Sequence, residues 1–92
     1  MVILIHREMF DMINADINKS FGLCMRSLMK ERDVSYRVLA RGTGIPVSSL
    51  HGYAHNKTGI PLPNAKLIAI FFRVTIDWML EHGDMLQKKA AV

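Results

Sequence analysis

Between Ile17 and Lys30 the apolar residues Ile17, Phe21, Cys24, Met25, Leu28 and Met29 recur at intervals of three and four, with Arg26, Lys30 and Arg32 lying off that stripe. This period winds one apolar face along a helix, whereas a strand alternates its faces at every residue. A second helix is predicted from Tyr36: the Ser35 hydroxyl can accept from the otherwise unpaired amides of a first turn, and Val38, Leu39 and Ala40 supply a face for burial. Gly44 follows that helix and can take positive φ without steric penalty, so the chain can turn and restart within a few residues. Pro46, with φ already fixed, suits the opening of a third helix. On that helix Leu50 and Tyr53 fall three apart on the inner face, and Val47, Ser48, His51, Gly52 and His55 face outward. The stretch HNKTGIPLPN (His55 to Asn64) is predicted to be a loop, because Gly59, Pro61 and Pro63 oppose regular structure. Asn64 is the expected cap of a fourth helix running to about Arg73, with Ala65, Ile68, Ala69 and Phe72 inward. Thr75 is the expected cap of a short fifth helix through Trp78 and Leu80, ended by Gly83, with Asp77 in its first turn suiting the helix dipole.

The two ends are less strongly patterned. Ile5, Met9, Met12 and Ile13 form one helical stripe, while Val2 to Ile5 alone has strand propensity; the stripe favours a helix. It adds apolar surface to a core that is complete without it, which suggests a subunit contact or a packing arm. The tail from Asp84 continues a helix through Met85 and Leu86 or frays. The expected organisation is an N-terminal extension (1–16), one domain (17–83) and a tail (84–92), with no repeat and no second domain.

The segment SYRVLARGTGIPVSSLHGY (Ser35 to Tyr53) thus reads as two short helices joined by a glycine turn, with Ala40 where a larger side chain would wedge the pair apart. This is a helix-turn-helix signature. The segment resembles the XRE/Cro-like helix-turn-helix domain of phage repressors and bacterial regulators. The likeness continues downstream through Ala65, Ile68, Ala69 and Phe72 into VTIDWMLEHG (Val74 to Gly83), so that it covers Phe21 to Gly83. It implies an all-α, compact five-helix phage-repressor-like domain, here with an added N-terminal segment. It also implies that the third helix enters the major groove of DNA, while the helix before it and the neighbouring loop grip phosphates.

Carried over residue by residue, the resemblance puts Val47, Ser48, Ser49 and Gly52 toward bases, with His51 as an addition. Tyr36 stands where the family usually has a phosphate-binding glutamine, and Arg37, His55, Asn56, Lys57 and Thr58 are further backbone contacts. The chain departs from the family in carrying Ala54 and Met29 where a glutamate and an arginine often pair, and Asn56 where a glycine is usual. Gly52 inside a helix costs about 1 kcal/mol relative to Ala and offers a base no side chain. Arg, Gln and Asn, the best bidentate base readers, are absent from the outer face. Either modest specificity, with much of it from DNA shape, or extra readout from a flanking arm is therefore expected.

Composition narrows the alternatives. Ninety-two residues make one modest core and leave no room for a buried multi-substrate cleft. Twelve Lys and Arg against eight Asp and Glu give a net charge of +4 and a pI near 9.6, which favours a polyanionic partner. The single Cys24 excludes an internal disulfide and a cysteine-only metal cluster and suits a reducing compartment. No leader or membrane-spanning pattern is read in the sequence, so a cytoplasmic protein without a membrane partner is expected.

His51 and His55 have the i, i+4 spacing of metal ligands, but no Glu or Cys stands beside them and a structural zinc needs four ligands. Ser48 and His51 lack an acid to orient the histidine, so no catalytic residue is assigned. No cofactor, metal or small-molecule substrate is expected, and the seven methionines read as core and interface filler.

The leading functional expectation is a sequence-preferring transcriptional regulator of double-stranded DNA, with repression the expected mode. It would act as a homodimer on half-sites about one helical turn apart. Trp78, Met79 and Met85, with the N-terminal segment, are the expected dimer contacts. The alternative is a protein-interaction module, antitoxin-like or an adaptor, whose apolar ends bind another chain.

Overall fold

The computed structural model describes the chain path from residue 6 to residue 83, with side chains from Asp16 onward. Five helices follow one another: α1 (His6–Glu31), α2 (Tyr36–Thr43), α3 (Val47–Ala54), α4 (Leu62–Phe72) and α5 (Ile76–Glu81). The expected all-α, five-helix architecture is what the chain adopts. α1 packs against α3 and α5, α2 against α3 and α4, and α4 against α5, closing the helices around one core. That core holds Phe21, Cys24, Met25, Leu28, Met29, Leu39, Ile45, Leu50, Tyr53, Ala54, Ala65, Ile68, Ala69, Phe72 and Met79. The apolar pair Met29 and Ala54 lies inside it, as a hydrophobic replacement of an ion pair should.

The 26-residue α1, about 39 Å long, joins two elements that the sequence pattern divides. It crosses the expected boundary at 16/17 without a break, because nothing between Asn14 and Asn18 is a helix breaker. Residues 1–5 and the tail from Asp84, including Met85, lie outside the described residues. Ile17, expected to turn inward, is 42 % exposed, because the body of the domain reaches fully along α1 only from Phe21 onward.

The helix ends show where local chemistry suffices and where it does not. Ser35 Oγ accepts from the Val38 amide at 3.1 Å and Thr75 Oγ1 from the Trp78 amide at 3.0 Å, as expected. Gly44 closes α2 at φ 78, its N–H donating to the Ala40 carbonyl at 2.8 Å. Thr43 adds a clamp the sequence reading did not include: its buried hydroxyl donates to the Leu39 carbonyl at 2.7 Å and accepts from the Ile45 amide at 3.2 Å. Three other helices end on a non-glycine residue in the left-handed region, Asp33 after α1, Asn56 after α3 and Arg73 after α4, with φ of 55, 55 and 58. In each case the next amide reaches back five residues: Val34 to Met29, Lys57 to Gly52 and Val74 to Ala69, at 2.8, 2.9 and 3.0 Å. This pairing satisfies carbonyls that the end of a helix otherwise leaves bare. Arg32 supplements it at α4, donating through Nη1 to the Phe72 carbonyl while its guanidinium lies 5.7 Å from the Phe72 ring centroid.

Two expectations about local placement are corrected. Asn64 does not cap α4; the helix starts at Leu62 behind Pro61 and takes Pro63 into its first turn, where a missing amide hydrogen costs nothing. The Asn64 amide instead donates to the Tyr53 hydroxyl at 2.8 Å, tying α4 to α3. Val38, expected on the buried face of α2, is exposed, and only Leu39 of that trio is fully enclosed. Gly22 sets the spacing of α1 and α3: a Cβ at that position would lie 2.3 Å from the Tyr53 carbonyl oxygen. Cys24 is buried, and burial pushes its thiol pKa up to about 11, so it stays protonated.

Candidate nucleic-acid interface

The site is built from α3, the start of α2 and the loop after α3. Leu50, Tyr53 and Ala54 anchor α3 in the core, so its opposite face is fixed toward solvent by burial rather than by its own short length. Val47, Ser48, His51 and His55 are exposed on that face and Ser49 is half-buried. Neither a chain arm nor an acidic side chain covers them among the described residues. The Tyr36 and His51 rings lie 5.4 Å apart between centroids and the His51 and His55 rings 4.3 Å apart. These contacts join the start of α2 to the outer face of α3. Arg37 is exposed on α2, and Asn56, Lys57 and Thr58 are exposed in the loop.

Gly52 is not on this face. It is buried, and a Cβ there would come within 2.9 Å of Thr58 Oγ1, so the small residue serves the fold of the loop onto the helix. That close approach accounts for a glycine in a helix interior, and it removes Gly52 from the base-reading set. Met79 is likewise misplaced by the sequence reading: it is 0 % exposed in the core and cannot meet a second chain. Trp78 is half-buried and stacks on His82 with centroids 4.1 Å apart and planes at 17°. The His82 ring is held in place by Nδ1 at 2.8 Å from the Trp78 carbonyl.

Charge is segregated along the chain. From Val34 to Ile76 the chain contains no Asp or Glu, while Arg37, Arg41, Lys57, Lys66 and Arg73 are all exposed. The acids lie in α1, in the turn after it, in α5 and beyond. The His55 pKa is lowered from its ordinary value of 6.5, first by desolvation and then by the positive charge of His51, Arg26 and Lys57. Arg26, read from sequence only as a residue off the apolar stripe, therefore belongs to the site. With Lys30 and the acidic Asp33 it also lines an open groove of about 530 Å³ beside Ser35 and Tyr36. The acid-free run was visible in the sequence; that α1 turns Arg26 toward α3 was not. Among the described residues no cluster of three metal-ligating side chains occurs.

A model of the helix-turn-helix family matches residues 25–79, more than half of the chain, from the last third of α1 into α5. The chain belongs to the XRE/Cro-like helix-turn-helix family. Its members are DNA-binding regulators and typically non-enzymatic, and this helix-turn-helix protein is a DNA-binding regulator of that kind. Comparison with curated proteins and with solved structures returns no match. The match leaves out the first nineteen residues of α1, His6 to Cys24, among them the core residues Phe21 and Cys24. No helix among the described residues is long and apolar enough to cross a membrane.

Proposed function

We propose that this helix-turn-helix protein is a transcriptional repressor that binds double-stranded DNA as a homodimer, with α3 in the major groove. The exposed, acid-free outer face of α3, flanked by cations from three elements, carries the reading. Val47, Ser48, Ser49 and His51 then meet bases, Val47 by apolar contact with a thymine methyl and the serines by weakly discriminating hydrogen bonds. Tyr36, Arg37, His55, Asn56, Lys57 and Thr58 meet the phosphates, with Arg26 behind them. One domain of this size covers little of a groove, so two copies on paired half-sites supply the affinity.

Binding to mixed duplex DNA is expected to weaken steeply with salt. Lys57→Ala should reduce the slope of log K against log salt by about one unit and leave sequence preference alone, whereas Ser48→Ala should alter preference and not slope. No measurable affinity at low salt would sink the reading.

A second expected outcome concerns pH. Desolvation, and after it the surrounding cations, hold His55 below 6.5 in the free protein, and a phosphate beside the imidazole favours its charged form, so binding takes up a proton. Affinity should therefore rise as pH falls from above 6.5 toward the lowered free-protein value, by up to about tenfold per pH unit for one proton. His55→Gln should flatten that dependence. Folding responds with the opposite sign: a depressed imidazole pKa favours the unfolded chain as pH falls below 6.5, so affinities are compared on samples shown to be folded by circular dichroism. A pH-independent affinity for the unaltered protein would remove His55 from the phosphate contacts.

A further inference from the structure

The outer face of α4 combines two features that the DNA-binding face does not use. Leu67 and Ile70, 41 % and 59 % exposed, stand three apart on the side of the helix opposite the buried Ala65, Ile68, Ala69 and Phe72. The half-buried Phe71 continues the patch one turn after Leu67. Its ring lies against Gly42, where a Cβ would come within 2.4 Å of it, so α2 adds no side chain at that point. The second feature is charge. Lys66 and Arg73 are exposed on α4 itself, and Arg41 is exposed next to Gly42 on α2. No carboxylate is at hand on the elements concerned: α2, α3 and α4 contain no Asp or Glu, and the acids bounding that stretch of chain are Asp33 and Asp77.

An aliphatic centre with a cationic border limits what can cover it. A phosphate backbone would satisfy the cations and leave the apolar centre unmatched. A second copy packed α4 to α4 would bury the centre and bring like charges together, which opposes association. A segment that carries both aliphatic and carboxylate side chains meets both demands. α4 has eleven residues, about 16 Å of helix, which matches the length over which an amphipathic helix sets anchors at i, i+3, i+4 and i+7. We propose that the outer face of α4 docks an acidic amphipathic helix of a different protein. Its aliphatic side chains cover Leu67, Ile70 and Phe71, and its carboxylates meet Lys66, Arg73 and Arg41. A patch this small gives a weak, reversible contact. The docking face shares no residue with the base-reading set on α3, and the inference depends neither on the homodimer nor on repression.

The probe is a labelled synthetic helical peptide of about four turns, with Leu along one face and Glu on both flanks; a second peptide carries Lys in place of every Glu. Fluorescence anisotropy is followed on titration with the full chain. Expected are a Kd of about 10–100 μM for the acidic peptide and roughly tenfold weaker binding of the basic one. Lys66→Glu/Arg73→Glu should invert that preference, and Ile70→Ser should weaken binding of the acidic peptide roughly tenfold. The same charge change at Arg37→Glu/Lys57→Glu should leave it within about twofold. All five substituted residues are exposed, and circular dichroism checks that each variant is folded. No binding of the acidic peptide at about 1 mM, equal binding of the two peptides, or equal losses from the two charge reversals overturns the docking face. So does a dimer in sedimentation equilibrium that Ile70→Ser dissociates, because a second copy then covers the patch. Loss of DNA affinity in Lys66→Glu/Arg73→Glu without any peptide binding assigns the cations to the phosphate backbone and overturns it as well.

Discussion

Phe72→Ala is expected to destabilise the fold by about 3–5 kcal/mol, the range for removing a buried aromatic ring. Phe72 is almost wholly enclosed, and three separate interactions converge on it. Its ring meets that of Phe71 edge-on at 5.1 Å and 85°, lies under the Arg32 guanidinium, and is part of the buried core cluster. The Arg32 hydrogen bond goes to the backbone carbonyl and survives truncation, so the loss is that of packing and of the cation over the ring. In a domain of this size each kcal/mol lowers the melting temperature by roughly 4–8 °C. Thermal unfolding followed by circular dichroism should therefore fall by well over 10 °C, and Phe72→Leu should recover much of it. A fall under about 5 °C would show that the ring is not the centre of the core.

The second large effect falls on the spacing between α1 and α3. Gly22→Ala ordinarily gains about 1 kcal/mol in a helix interior, yet here the new Cβ would lie 2.3 Å from the Tyr53 carbonyl oxygen. The obstacle is backbone and cannot rotate aside, so α1 must move away from the helix that carries the reading face. Overpacking of this kind costs about 1–3 kcal/mol, and the expected net result is a lower urea midpoint together with weaker DNA binding at 25 °C. Gly42→Ala is the informative comparison. Its Cβ would meet the Phe71 ring at 2.4 Å, but that ring is half-buried and can turn, so the helix propensity gain should leave stability unchanged or slightly higher. Equal losses at the two glycines would refute the distinction between a rigid and a yielding neighbour.

Most of the candidate site was legible because helix periodicity and capping are local. Ser35, Gly44, Pro46, Leu50 and Tyr53 each act within a few residues of themselves, and together they determine which side of α3 faces away from the core. Gly52 escaped that logic, since its smallness answers to Thr58 in the loop rather than to a base. Met79 escaped it too: a six-residue helix has too few turns for its pattern to distinguish a core position from an exposed one. Arg26 joins the site from a distant part of the chain, and no spacing rule relates it to His55.

The one-dimensional sequence determined the helical class, the turn between α2 and α3, the outward set Val47, Ser48 and His51, and the separation of acids from the basic middle of the chain. These depend on backbone propensity, period and charge, which are properties of neighbours along the chain. The packed domain decided the rest: that α1 is one helix, that Asn64 bonds Tyr53 instead of capping α4, that Asp33 and Arg73 take left-handed conformations, and that Ile17 and Leu62 border an open groove. Each of those depends on which surfaces meet after the chain has folded back on itself, and side chains forty residues apart leave no periodic trace of their contact.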